Sequence, residues 1–92
     1  MTDSSLSFVG IDVSKDSLDI AIRPSHEQFS IANDPRHLPA LSQRLQALSV
    51  SRIVVEATGG YELLVVTHLA AAGLPVCRVN PSQARHFAKA IN

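Results

Sequence analysis

The spacing of hydrophobic residues along the chain predicts five strands and three helices. Residues 7–13 are apolar on both faces, which is typical of a central strand. Residues 16–23 and 27–32 instead alternate apolar and polar side chains, as half-buried strands do. Short turns separate the three segments, so they are predicted to form an antiparallel meander.

The period then changes to that of an amphipathic helix. Asp34 is predicted to be its N-cap, with Pro35 in the first helical position and the helix ending near Ser49. One face of this segment carries leucine at positions 38, 41, 45 and 48. An apolar run over residues 51–57 follows and is predicted to be a buried strand that ends close to Glu56.

Helix and strand alternate over the rest of the chain. Residues 61–73 are predicted to form a helix closed by Gly73, and residues 74–80 another buried strand. Asn80 and the proline and glutamine that follow it then have the pattern of an N-cap with a capping box. A last helix is therefore predicted to begin at Asn80.

The predicted order is β-β-β-α-β-α-β-α, which resembles the ribonuclease H-like α/β fold, a mixed sheet with helices on both faces. In that fold the first and fourth strands lie side by side, so Asp12 and Glu56 would be neighbours. Two adjacent carboxylates repel one another unless a divalent cation lies between them. The pair is therefore a candidate metal site, although on spacing alone Asp12 fits a hairpin-turn aspartate better.

Composition is that of one small globular domain, residues 1–92, with 46% hydrophobic and 17% charged residues. The net charge is zero, but all eight acidic residues lie at or before Glu62, so the charged residues after it are all basic. No apolar stretch is long enough to span a bilayer, so we expect a cytoplasmic protein with no membrane partner. The single cysteine, Cys77, is predicted to be a small buried strand residue.

Three blocks of sequence point to a family. "GIDVSKDSLDIAI", "VVEATGGY" and "LPVCRVNPSQARHFAKAIN" occur in that order over residues 7–92. Together they resemble the N-terminal part of the DEDD transposases of the insertion-sequence one-ten family. The resemblance implies a RuvC-like catalytic domain that cleaves and transfers DNA strands. It puts the family's first catalytic aspartate on Asp12 and its glutamate on Glu56.

The resemblance also implies cofactors and partners. Two Mg²⁺ or Mn²⁺ ions would be held by four carboxylates, of which the last two are expected beyond the third helix. Because the sequence stops at Asn92, we expect a C-terminally incomplete catalytic domain that is inactive alone and binds metal weakly or not at all. DNA, a guide RNA, a C-terminal domain with a catalytic serine, and a second copy of the chain are the implied partners in the complete enzyme.

Several polar residues near the predicted strand ends are candidates for nucleic-acid contact. A lysine or arginine can neutralise a phosphate, and an aromatic ring can stack on a base. The same residues also suit a solvated hairpin, a strand-to-helix turn or a solvated helix face. The candidates are Lys15, Thr58, Tyr61, Arg78, Arg85 and Lys89.

Two other classes of function stay open. The ATP-binding lobe of actin-like proteins and sugar kinases shares this topology and a similar first hairpin, but the segment "DVSKDS" lacks the glycine usual in its phosphate loop. A non-catalytic assembly module is the second alternative, because "LLVVTHLAAAG" is apolar all round and an incomplete domain would leave part of its sheet uncovered.

Overall fold

A computed structural model of the protein describes residues 6–56 and 59–80. Over these ranges the chain forms one five-stranded mixed sheet and two helices. Neither helix of this described part is long and apolar enough to cross a membrane. The elements are β1 (Ser7–Val13), β2 (Ser17–Arg23), β3 (Glu27–Ala32), α1 (Leu38–Gln46), β4 (Val50–Glu56), α2 (Leu63–Ala71) and β5 (Val76–Val79).

The strands lie in the order β3-β2-β1-β4-β5. β2 pairs antiparallel with both β1 and β3, which confirms the predicted meander. β4 pairs parallel with both β1 and β5. The first and fourth strands are therefore neighbours, as the ribonuclease H-like order predicted.

The hydrophobic core lies on one face of the sheet. Alternate residues of β1, starting at Val9, point to this face and stand opposite alternate apolar residues of β2 and β4. Both α1 and α2 pack on it through their apolar sides. The buried core residues are Val9, Ile11, Val13, Leu18, Ile20, Ile22, Leu38, Leu41, Leu45, Ile53, Val55, Val65 and Leu69.

The opposite face of the sheet is less buried along β1. Along β1 it presents Phe8 and Gly10, which are partly buried, and then Asp12, which is exposed. We predicted helices on both faces, and both helices of the described part lie on the core face. The segment predicted to form the third helix, residues 81–92, lies outside the described residues.

The first helix begins later than the sequence pattern predicted. Asp34 does act as a cap, but of a turn that precedes the helix, so that α1 starts at Leu38. The Oδ1 atom of Asp34 accepts hydrogen bonds from the backbone N–H groups of Arg36 at 2.9 Å and His37 at 3.2 Å. The His37 ring also lies with its Nδ1 2.7 Å from this oxygen. The prediction that Asp34 is the helix N-cap and Pro35 its first helical residue is wrong, because the N-cap of α1 is His37 and Asp34 caps the turn before it.

The prediction that Cys77 is buried is wrong. Cys77 is exposed, although it lies in β5 opposite Val54 of β4. Val54 stands between Ile53 and Val55, two residues of the core face, so Cys77 lies on the face opposite the core. β5 is also the edge strand of the sheet described here. An apolar run can thus predict a strand without predicting which of its residues are covered.

The Asp34 cap should make stability depend on pH in the acid range. The hydrogen bond with His37 is the main cause that lowers the pKa of Asp34 below its ordinary 3.8, and partial desolvation opposes it. A depressed folded-state pKa adds stability above pH 3.8 that is lost as pH falls through the lower folded value. The wild type should therefore lose its advantage in melting temperature over Asp34→Asn as pH falls from about 5 to 2.

Thermal unfolding monitored by circular dichroism at several pH values measures this difference. His37→Ala is the matched background, because it removes the main cause of the shift. In that background the change in melting temperature caused by Asp34→Asn should depend much less on pH. An equally steep dependence in both backgrounds would show that His37 does not lower the pKa of Asp34.

Candidate metal and nucleic-acid site

Two acidic residues lie at the ends of neighbouring parallel strands. The β1–β4 register pairs Ile11 with Val55, and the next residues along the two strands are Asp12 and Glu56. Side chains alternate between the faces of a sheet, and Ile11 and Val55 belong to the core face. Asp12 and Glu56 therefore lie next to each other on the opposite face.

Neither carboxylate has a protein partner within the described residues: no hydrogen bond or ion pair to Asp12 or Glu56 is formed there. Asp12 is exposed, while Glu56 is partly buried and stands beside Val79 of β5. Partial burial of an unpaired carboxylate costs free energy. Glu56 thus ends an apolar strand just outside the core, with its negative charge uncompensated by this part of the chain.

A third acid, Asp19, was missed as part of this region. It stands directly opposite Asp12 on β2, where like charges on facing residues are unfavourable. Ser30 donates a hydrogen bond to Asp19 Oδ1. The hairpin register could have predicted this position, because pairing Val13 with Leu18 across the turn also pairs Asp12 with Asp19. The described residues nevertheless contain no group of three or more potential metal ligands close enough to hold an ion.

The loop after β4 is shaped by two glycines. Gly59 and Gly60 have φ angles of 67° and 104°, a region that side chains other than glycine rarely adopt. The Gly60 N–H donates to Oε1 of Glu62 at 3.0 Å, so this group is already used within the loop. Tyr61 is 49% exposed and its ring is accessible for stacking. Thr58, the other candidate of this loop, lies outside the described residues.

The remaining predicted phosphate contacts fall in different places. Lys15 is exposed in the β1–β2 turn, close along the chain to Asp12. Arg78 pairs in register with Val55, a core-face residue, so it lies on the face opposite the two strand-end acids. Its Nη1 is 3.1 Å from Oε2 of Glu62. Arg85 and Lys89 lie outside the described residues.

The Glu62–Arg78 ion pair is asymmetric. The Glu62 side chain is 3% exposed and that of Arg78 is 51% exposed. A nearly buried carboxylate that loses its cationic partner pays a desolvation penalty, whereas an exposed arginine does not. Sequence reasoning placed Glu62 in the first turn of a helix and missed this pairing, since nothing in the pattern links residues 62 and 78.

Asn33, just after β3, was also missed by sequence reasoning. Its side-chain Nδ2 donates hydrogen bonds to the backbone oxygens of Ser14 at 2.9 Å and Tyr61 at 3.3 Å. These oxygens belong to the loops that follow β1 and β4. A contact between loops far apart in sequence leaves no local signal, so only the structure reveals it.

Removing the arginine of the ion pair should destabilise the protein. Arg78→Ala is expected to lower the free energy of unfolding by about 1–2 kcal/mol, because the buried Glu62 loses its contact with this arginine, while solvent screening at Arg78 keeps the effect below that of a fully buried pair. Urea denaturation followed by circular dichroism measures this change.

Arg52→Ala is the matched control for that measurement. Arg52 is an exposed β4 residue that forms no ion pair with the described part of the chain, so its loss should change stability by less than about 0.5 kcal/mol. Equal effects of the two substitutions would mean that the Glu62–Arg78 pair contributes nothing measurable.

Solved structures share the fold. The chain is similar to T. thermophilus RuvC in complex with Holliday junction substrate, with 16% sequence identity and a TM-score of 0.67, covering 89% of this chain and 69% of that one. It is also similar to YeaZ from Pseudomonas aeruginosa, at 14% identity and a TM-score of 0.45, where the chain spans 43% of the relative. The RuvC similarity establishes the ribonuclease H-like fold.

Sequence comparisons identify the family. No curated protein sequence matches the chain. The family model for the DEDD transposases of the IS110 type, described as "Transposase", matches residues 9–92. The matched range contains both strand-end acids and all three blocks that suggested the resemblance. The chain therefore belongs to the IS110-type DEDD transposase family.

Proposed function

We propose that this chain supplies two metal-ligating carboxylates, Asp12 and Glu56, to a transposase that cleaves and transfers DNA strands. The observation that supports this most directly is the β1–β4 register, from which the two acids are inferred to lie side by side on the face opposite the core. Family membership gives the reaction class. Within the described residues neither acid has a protein partner, so both carboxylates are available to bind a cation.

The donor chemistry fits a hard divalent cation. Carboxylate oxygens are the ligands that Mg²⁺ and Mn²⁺ prefer, and Mg²⁺ commonly uses one or two carboxylates together with water. Such an ion, when bound, polarises a phosphodiester and lowers the pKa of its water. Asp12 and Glu56 would hold the cation, and Asp19 would add negative charge beside them. Two ions, with two further aspartates as ligands, are what the family resemblance implies for the complete domain.

The nucleic-acid contacts proposed for this site are of two kinds. Lys15 and Tyr61 belong to the loops that follow β1 and β4, so they are suited to a phosphate and a base near the acids. Thr58, Arg85 and Lys89 are proposed as further contacts from their sequence positions. Arg78 is the weakest of the original candidates, because Glu62 binds its guanidinium on the other face. DNA is the proposed partner, and a guide RNA and a second copy of the chain remain proposals from the resemblance.

The alternative of an ATP-binding lobe is not favoured. The turn after β1 is closed by hydrogen bonds between Ser14 and Ser17 and contains no glycine. The family match to a transposase also covers this turn. An assembly role is compatible with the transposase, since Leu63 and Leu64 are both exposed at the start of α2.

Mn²⁺ should bind at the two acids. Added in small amounts to ¹⁵N-labelled protein, this paramagnetic ion should broaden the amide signals of Asp12, Glu56 and the neighbouring Asp19 before those of acidic residues farther from the site. Asp12→Asn and Glu56→Gln should each abolish the selective broadening, because one carboxylate alone holds the ion too weakly. The measurement suits a site with only two protein ligands, because fast exchange reports weak binding.

Asp16→Asn is the control, since it removes the same charge from the exposed turn next to the site. It should leave the selective broadening in place, which separates ligation from a general loss of negative charge. If Mn²⁺ broadens all exposed acids alike in the wild type, the proposed metal site does not exist.

Binding to duplex DNA should be weak and strongly dependent on salt. With Lys15, Arg85 and Lys89 as phosphate contacts, log affinity should fall against log salt concentration with a slope of about −3, at roughly −0.9 per contact. The double variant Arg85→Ala, Lys89→Ala should flatten the slope by about two units. Fluorescence anisotropy of a labelled duplex at several salt concentrations gives both slopes.

Arg78→Ala is informative in the same titration. Because its guanidinium is held by Glu62, its loss should leave the slope unchanged at temperatures where the variant stays folded. A slope that changes with Arg78 but not with Arg85 and Lys89 would move the DNA-contact surface to the core-side face of the sheet.

A further inference from the structure

We infer that Asn33 is a positioning residue for the metal site: its side-chain amide joins the loop after Asp12 to the loop after Glu56. This inference rests on the proposed function, because it concerns the relative placement of the same two acids. The residue lies just beyond β3, which β2 and β1 separate from β4, and nothing in its sequence neighbourhood suggests such a role.

The geometry is that of a cross-link between two loops. Nδ2 of Asn33 donates to the carbonyl oxygen of Ser14 at 2.9 Å and to that of Tyr61 at 3.3 Å. Ser14 follows Asp12 by two positions, and Tyr61 follows Glu56 by five. The backbone N–H of Asn33 donates to Asp16 O at 3.0 Å, which fixes Asn33 itself to the first loop.

The chemistry of the contacts allows one orientation of the amide. Both neighbours of Nδ2 are carbonyl oxygens, which only accept hydrogen bonds, so the NH₂ group has to face them. The Oδ1 atom is buried and has no hydrogen-bond partner in the part of the chain described. Rotating the amide by half a turn would place this oxygen against two carbonyl oxygens, so the NH₂ group is the end of the amide that faces them.

The link matters because sheet pairing fixes only part of the site. The ladder between β1 and β4 holds Ile11 beside Val55, and the two acids follow at its end. Beyond that point each loop leaves the sheet separately, and the loop after Glu56 turns through two glycines with positive φ. A cross-link between the loops limits how far the two carboxylates can move apart, and residues that orient metal ligands contribute to metal affinity.

The test compares two variants that each lose one amide cross-link. Asn33→Leu keeps the approximate shape of the side chain and removes both donors. Gln46→Leu removes a similar link at the other side of the domain, where Gln46 Nε2 donates to Ala72 O at 2.9 Å. Mn²⁺ titration of ¹⁵N-labelled wild type and of both variants reports affinity and the broadening at each acid.

In Asn33→Leu the apparent Mn²⁺ affinity should fall by about three- to tenfold. Selective broadening around Asp12 and Glu56 should need correspondingly more Mn²⁺, because the two carboxylates are held less firmly towards one shared ion. Gln46→Leu should match the wild type in Mn²⁺ affinity. A purely structural role for Asn33 would lower the melting temperature without changing the Mn²⁺ affinity of the folded variant.

The outcomes distinguish this inference from the function it rests on. If Mn²⁺ broadens neither acid selectively in the wild type, both are overturned. If the wild type binds Mn²⁺ at both acids and Asn33→Leu behaves like Gln46→Leu, the positioning role alone is overturned.

A measurement on the wild type covers the case in which Asn33→Leu does not fold. During a titration with diamagnetic Mg²⁺, the side-chain NH₂ signals of Asn33 should shift with the same midpoint as the Asp12 and Glu56 signals. Asn33 signals that stay fixed while both acids shift would overturn the positioning role.

Discussion

The parallel pairing of β1 with β4 is the interaction on which the rest of the structure depends. It connects the antiparallel meander to the alternating second half of the chain, and without it the two halves would share no sheet. Its register also decides which residues face each other, because Ile11 beside Val55 fixes the position of the residues that follow. Core and site are therefore set by the same ladder of backbone hydrogen bonds.

The two faces of the sheet carry different residues: one forms the hydrophobic core and the other carries the acids. The core face collects the buried aliphatic residues and both described helices, so it supplies most of the hydrophobic stabilisation of this part of the chain. The acids lie on the other face, where Asp12 and Asp19 are exposed and Glu56 is only partly buried. Unlike these acids, the charged pair Glu62–Arg78 lies on the core side of the sheet. Glu62 also accepts a hydrogen bond from the Gly60 N–H, which ties it to the loop after Glu56.

The sequence was sufficient to predict the strands, the meander and the adjacency of Asp12 and Glu56, because each depends on local periodicity or on the order of elements. It did not predict that Cys77 is exposed, since an apolar run does not show which face of an edge strand is covered. Asn33 and the Glu62–Arg78 pair were missed for another reason: they join segments that only the finished fold brings together. Asp19 lies between these cases, because the hairpin register was enough to place it opposite Asp12.

The alternation along β1 also constrains how this sequence can change in length. Val9, Ile11 and Val13 point one way and Asp12 the other, so one residue inserted between Val9 and Asp12 would turn the aspartate into the core and an aliphatic side chain out of it. Only an insertion of two residues would restore the faces, and it would carry Asp12 past the end of β4. The alternation of faces therefore allows almost no insertion or deletion within this strand.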